Sequence, residues 1–312
     1  MTQFDLADKF ARSGQFDIEV QGGRIPVKFN HAGPQARAVI FSFHGAIDRK
    51  TRPIPSYPSS LPHFDGLAHQ ICVSDPSMLI GNSFNMSWYA GHAGFETQNL
   101  LKQIFAQIID TLDTEKVIFM GGSGGGFAAL YFSWHFPDSV CIAACPQTSI
   151  ARYYKGHSNQ YLAECWPDVP NIKALSSVIC TDLGSLYSQN VPNTVIYLQS
   201  AGDYFHFKNH LVPFLNEIDL NAKNGRFILN NGFWGKLSHG GSVPPHAFRP
   251  WLQTIVLAPD LKTDTLLQTH YELKAASSST VTATRPKASA AKFEAAKIER
   301  ATLIRNWQLS QS

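Results

Sequence analysis

The chain has 312 residues, 44% of them hydrophobic and 16% charged, with a formal net charge of +3. That length suits one large domain with a full core, and the charge is too small to make nucleic acid or a membrane surface a main partner. No apolar run approaches a membrane span, the polar start lacks a signal peptide's hydrophobic region, and five scattered cysteines read as core thiols, so the cytoplasm is the expected location.

Residues 16–20 and 24–29 alternate on either side of a Gly22-Gly23 turn and predict a β-hairpin. After Pro34, residues 36–43 form a continuous apolar run, expected of a strand buried on both faces, and the next loop opens with His44-Gly45-Ala46. A short strand at 70–73 ends at Ser74-Asp75-Pro76. Residues 95–112 predict a helix, with Leu100, Leu101, Ile104, Phe105, Ile108 and Ile109 on one face. The run 117–120 reads as a buried strand, followed by a glycine-rich turn and a small-residue helix start at Phe127-Ala128-Ala129-Leu130. A further strand at 140–144 is ended by Pro146; Cys141 and Cys145 act there as small hydrophobes.

Residues 146–193 are too many for a plain connection, which usually takes about 2–6 residues. They predict a cap insert with helices of its own, bearing Tyr153, Tyr154, Tyr161, Trp166 and Tyr187. A strand at 194–198, a helix at 211–218, a strand at 226–229 and a helix at 244–257 follow. Strands alternating with helices predict the α/β class: a mostly parallel sheet with helices on both faces, begun by an antiparallel hairpin. This domain is expected over residues 1–272. A low-complexity linker at 273–289 has little to bury, and a C-terminal helix at 290–312 offers Phe293, Ile298, Leu303, Ile304 and Trp307 as a docking face. Its partner is the body, another protein or a second copy of the chain.

The glycine-rich turn carries the chemistry. Gly121-Gly122-Ser123-Gly124-Gly125 matches G-x-S-x-G, in which a sharp strand-to-helix turn exposes a strained serine and glycines at Gly121 and Gly125 relieve the crowding. A phosphate-binding loop would need Gly-Lys-Ser/Thr, whereas Gly126 is followed by Phe127 and Ala128. A dinucleotide fingerprint can be forced onto Gly124, Gly126 and Ala129, but the next strand ends near Cys145 with no acid for a ribose. A glycine turn that merely packs is the remaining bland reading.

A serine nucleophile needs a base, and the base an orienting acid; both belong on loops at the carboxyl ends of the strands. The loop after residue 198 supplies Asp203, and the loop after 229 supplies His239 beside Gly240 and Gly241. The rivals are His246 within the last helix and Asp182 within the insert, and an ordinary helix cap is the plain reading of Asp203. Asp203, His206 and His210 have a spacing compatible with zinc, but no further Cys or Glu stands beside them, so no metal and no cofactor is expected.

With the order Ser123, Asp203, His239 in place, the sequence resembles the α/β-hydrolase superfamily over residues 15–258. The resemblance implies an oxyanion hole made by the backbone N–H groups of Gly124 and Ala46. Narrower motifs are Phe43-His44-Gly45-Ala46, Ser74-Asp75-Pro76-Ser77, Ser87-Trp88-Tyr89-Ala90-Gly91, the serine turn itself and Pro146-Gln147-Thr148. They look like those of α/β-hydrolase-like proteins of bacterial capsular-polysaccharide loci, which implies work on a glycan or its acyl decoration. His44 is expected to orient the oxyanion loop rather than act as a base. Arg49, in the run Arg49-Lys50-Thr51-Arg52, is either an anion-recognising group or, more plainly, part of a solvated loop. Trp88, Tyr89 and the tyrosines of the insert form either a substrate-stacking wall or buried cap aromatics.

The expected function is that of a serine hydrolase or acyltransferase working through an acyl-enzyme on a small-molecule or glycan ester. The alternative is a non-catalytic scaffold that keeps the fold and acts through its C-terminal helix.

Overall fold

In a computed structural model the structure describes residues 6–64, 66–218, 225–234 and 243–278. His239, the linker from 279 onward and the expected helix at 290–312 lie outside the described residues.

Eight strands form one sheet among the described residues: β1 (Gly14–Val20), β2 (Gly23–Asn30), β3 (Ala38–Phe43), β4 (Ala68–Val73), β5 (Lys116–Gly122), β6 (Val140–Ala144), β7 (Thr194–Ser200) and β8 (Phe227–Gly232). Their order is β1-β2-β4-β3-β5-β6-β7-β8. β1 with β2 and β2 with β4 are antiparallel, and every other pair is parallel. The fold is therefore α/β-hydrolase-like, as expected. β5 lies centrally between β3 and β6, so the end of β5 opens beside the ends of both neighbours.

Side chains alternate across each strand, and the two faces bury different sets. Val39, Phe41, Phe43, Phe119, Ala143 and Tyr197 face one core, which α1 (Thr97–Leu112) and α2 (Gly124–Trp134) cover. Ile40, Ile118, Ile142, Ile196 and Leu198 face the other, under α8 (Pro245–Leu257) and α9 (Thr263–Ser278). This double cover explains why all six residues of β3 are buried. Lys116, at the start of β5, donates to the carbonyls of Ile255, Val256 and Ala258 at 2.9, 2.8 and 2.5 Å. A cation there satisfies the orphan carbonyls of the α8 C-terminus.

The insert after β6 contributes α3 (Lys155–Cys165), α4 (Ile172–Leu175) and α5 (Leu183–Tyr187). Tyr161 and Tyr187 are fully buried, and their hydroxyls donate to Gly91 O and Leu130 O at 2.8 and 2.9 Å. After β7 the chain forms α6 (Tyr204–His206), a π-helical turn (Phe207–Leu211) and α7 (Val212–Glu217), an earlier start than the periodicity predicts.

α9 was not anticipated, and it crosses the expected boundary at 272. Its composition is mostly polar, but Leu266 and His270 are buried, and the His270 ring stacks on Trp251 of α8 at 3.7 Å. Among the described residues no helix is long and apolar enough to cross a membrane. All five cysteines are unpaired, four of them buried.

Candidate active site

Ser123 joins β5 to α2 with φ 55° and ψ −121°, backbone angles that cost a non-glycine residue free energy and persist only when neighbours enforce them. The neighbours are visible. The Ser123 N–H donates to Ala144 O at 3.0 Å, and its carbonyl accepts from the N–H groups of Gly126, Phe127 and Gln147 at 3.0, 3.3 and 3.1 Å. A Cβ at Gly121 would overlap the Gly125 carbonyl, and one at Gly125 would lie 2.7 Å from His44 O. Both positions therefore exclude a side chain by close backbone approach. Gly124 opens the helix, so its N–H belongs to the end that favours negative charge.

The loop after β3 lies against this turn: a Cβ added at Gly45 would sit 3.3 Å from the Ser123 Cβ. Three buried side chains hold the loop. The His44 N–H donates to the Tyr89 hydroxyl at 2.9 Å, and that hydroxyl donates to Val73 O at 2.8 Å. The His44 ring accepts the Asp75 N–H at Nε2 (3.1 Å), so its proton is on Nδ1, which donates to Gly45 O at 2.7 Å. Burial holds this ring neutral, its pKa lowered to about 4 against the opposing bond to Gly45 and with help from the Arg52 charge. Asp75 accepts from the N–H groups of Tyr89 and Ser77 at 2.6 and 3.2 Å. Burial raises its carboxyl to about 6 in spite of those bonds.

These contacts account for His44, Trp88, Tyr89 and Arg49, each a tentative substrate contact in the sequence. His44 has both ring nitrogens committed to backbone, which fits an orienting role and leaves none for a substrate. Trp88 and Tyr89 are each 1% exposed and pack among the protein's own groups, as the buried-aromatic reading expects. Arg49 donates to Phe84 O, Met78 O and Asn82 Oδ1 at 2.9, 2.8 and 3.2 Å. Its guanidinium braces the loop 78–84 instead of standing in solvent. Ala46 is exposed beside this network, and the next residue, Ile47, donates its N–H to Asn85 O at 2.8 Å.

Two side chains named in the sequence without a catalytic role adjoin the site. Gln147, just past β6, donates from Nε2 to the Ser123 hydroxyl at 2.9 Å and accepts the Trp88 indole N–H. In the sequence it stands only inside the Pro146-Gln147-Thr148 motif, three residues beyond the end of β6. His206 meets the Asp203 carboxylate through Nδ1 at 3.0 Å, and both are buried. The separation of three residues was noted for zinc, but the pair is a buried hydrogen-bonded couple.

Asp203 lies three residues beyond β7 and caps α6, accepting the His206 N–H at 3.2 Å. The capping role and the buried histidine contact coexist. Tyr153 joins them from the insert, its ring centroid 6.0 Å from His206 and 6.2 Å from His210. Burial raises the Tyr153 hydroxyl's pKa, partly offset by a hydrogen bond from Gln147. Thr148 donates its N–H to His210 Nδ1 at 3.1 Å, so that nitrogen is not offered to a metal. Among the described residues no group of three His, Cys, Asp or Glu is arranged to hold one. Of the rivals, His246 is exposed on the first turn of α8, and Asp182 caps α5 by accepting the Gly184 N–H at 3.0 Å.

No family model matches the chain, and no curated protein sequence matches it. Solved structures do. A capsule O-acetyltransferase of Neisseria meningitidis serogroup A superposes with a TM-score of 0.56 at 18% identity, over 77% of this chain and 93% of that one. Acetyl xylan esterase 1 from Thermoanaerobacterium sp. gives 0.52 at 13% identity, over 79% and 83%. Pyrococcus horikoshii acylaminoacyl peptidase gives 0.55 at 15%, over 84% of this chain but 44% of its own. At these identities the likeness is one of architecture. The sheet order and the Ser123 turn agree with it: the chain has an α/β-hydrolase-like fold.

Proposed function

We propose that the chain is a serine-nucleophile enzyme that moves an acyl group, either to water as an esterase or to a hydroxyl acceptor as an O-acyltransferase. The observation that carries this reading is the backbone of Ser123: a serine at φ 55° between the central strand and a glycine-led helix has no evident packing purpose. In this account His239 takes the Ser123 proton as Oγ attacks the ester carbon, and Asp203 steadies the histidine that becomes charged. The tetrahedral oxyanion is received by the N–H groups of Gly124 and Ala46, and His239 returns its proton to the leaving oxygen. Water or an acceptor hydroxyl then releases the acyl group from Oγ.

A glycan carrying ester groups is the substrate class we favour. Two of the similar structures are named for acetyl chemistry on a capsule and on xylan, and the sequence motifs point the same way. Turnover of a small activated acetate ester tests the reading. Ser123→Ala and His239→Ala should each lower kcat by on the order of 10⁴-fold or more with folding intact. Wild-type turnover in folded Ser123→Ala would remove the proposal. Adding glycan hydroxyls to the same assay separates the two outcomes: acetylated glycan marks a transferase, and acetate alone an esterase.

A further inference from the structure

We propose that Gln147 is a catalytic residue of this site, its side-chain amide donating to the Ser123 oxygen and assisting that oxygen chiefly as it leaves. The inference rests on Ser123 being the nucleophile.

The orientation of the amide follows from chemistry. The two ends of a glutamine amide have nearly the same shape, and the hydrogen-bond network decides between them. An indole N–H is a donor with no acceptor capacity, so the end of Gln147 that meets Trp88 Nε1 must be the carbonyl oxygen. The NH₂ end therefore faces Ser123 Oγ, at 2.9 Å. The Gln147 main-chain N–H also donates to Ser123 O, at 3.1 Å, so one residue holds both the backbone and the side chain of the nucleophile.

The indole that sets this orientation is itself fixed. Trp88 is buried, with its ring 5.3 Å from that of Tyr161 and 6.1 Å from that of Tyr153. Its φ of 54° is a strained value for a bulky residue, sustained by the packing around it. Gln147 is fully buried, so its amide has little freedom to turn over.

A donor on Oγ acts differently in the two halves of the reaction. In acylation the hydroxyl proton goes to the base, the Oγ–carbon bond forms, and the bond to the leaving oxygen breaks as that oxygen takes the proton. The amide N–H eases deprotonation of Oγ but also withdraws electron density from the attacking lone pair, and the two effects partly cancel. In deacylation the acceptor hydroxyl or water gives its proton to the base and bonds to the carbonyl carbon. The carbon–Oγ bond then breaks, the electron pair returns to Oγ, and the base restores the proton. Here the N–H only stabilises the charge that Oγ gains. Loss of the donor therefore slows deacylation more than acylation.

The test is pre-steady-state hydrolysis of 4-nitrophenyl acetate by the full chain, with quenched samples weighed for acetyl on Ser123. Gln147→Met removes the donor at similar length without burying a charge. Gln147→Glu keeps an acceptor for Trp88 and, assayed above the pH at which its buried carboxyl ionises, offers Ser123 no donor, and it decides the matter if the first variant does not fold. We expect kcat to fall by on the order of 10²-fold, kcat/KM by about tenfold or less, and acetyl-Ser123 to accumulate in a burst. The proposal is overturned if a variant with native near-UV circular dichroism turns over within about twofold of the wild type. It is equally overturned if kcat and kcat/KM fall together with no accumulated acetyl-enzyme. If the wild type never carries acetyl on Ser123, the nucleophile reading fails and takes this proposal with it; the wild-type arm tells the two failures apart.

Discussion

The backbone of Ser123 is held in an unfavourable region at a cost of roughly 1–3 kcal/mol, offset by the bonds that converge on its N–H and carbonyl. The glycines around it are part of that restraint. Gly125→Ala would bring a Cβ to 2.7 Å from the His44 carbonyl, so the loop after β3 or the start of α2 must move. We expect this variant to lose about 1–3 kcal/mol of stability and to lose turnover beyond what its melting temperature explains. Thermal melts and kcat measured together check this, and an unchanged kcat would mean that the two backbones are not set by their contact. Much of this scale was legible in the sequence because G-x-S-x-G is local. The His44–Asp75–Tyr89 network was not: its bonds join residues 45, 31 and 14 apart, and no spacing rule links them. Trp88, Tyr89 and Arg49 looked available to a substrate for the same reason, since sequence does not tell a buried aromatic from an exposed one.

At the level of elements, strand periodicity and the long insert could be read directly, whereas α9 could not. Its burial depends on a few side chains meeting α8: Leu266, fully buried, and His270, which stacks on Trp251 and meets Thr254 Oγ1 at 3.1 Å. A mostly polar helix with two anchors has too weak a pattern to stand out. Of the linker expected at 273–289, with a protease cut within 275–289, the first residues belong to α9 and residues 279–289 lie outside the described residues. Truncation after Ser278 should leave melting temperature and esterase turnover unchanged, whereas truncation before Thr263 strips α8 of its cover and should cost several kcal/mol, about that of a large core deletion. Denaturant midpoints of the two truncated chains measure the difference. Equal midpoints would show that α9 adds nothing to the core.

For the whole molecule, the doubly covered sheet carries buried histidines into acid with a definite sign. Burial lowers His44, His69, His135 and His270 to about 4. Between about 4 and 6.5 the folded chain then binds fewer protons at these rings than the unfolded chain. Their contribution is fully present above 6.5 and is lost as the pH falls through 4. Asp75, raised to about 6, works the other way between about 4 and 6, since the folded state there holds the extra proton. The histidines outnumber it, so net stability should fall on acidification. His44 alone accounts for roughly 3 kcal/mol when fully protonated. Urea midpoints at pH 7 and 4.5 should differ in that direction, and His44→Gln should narrow the gap; a midpoint indifferent to pH would contradict the burial of these rings.

Whether Ser123 is a nucleophile is read directly by a covalent label. The intact chain treated with a fluorophosphonate should gain one adduct, located by peptide mapping on Ser123 and absent from Ser123→Ala. A folded chain that takes up no label at Ser123, or is labelled only elsewhere, would contradict the nucleophile reading.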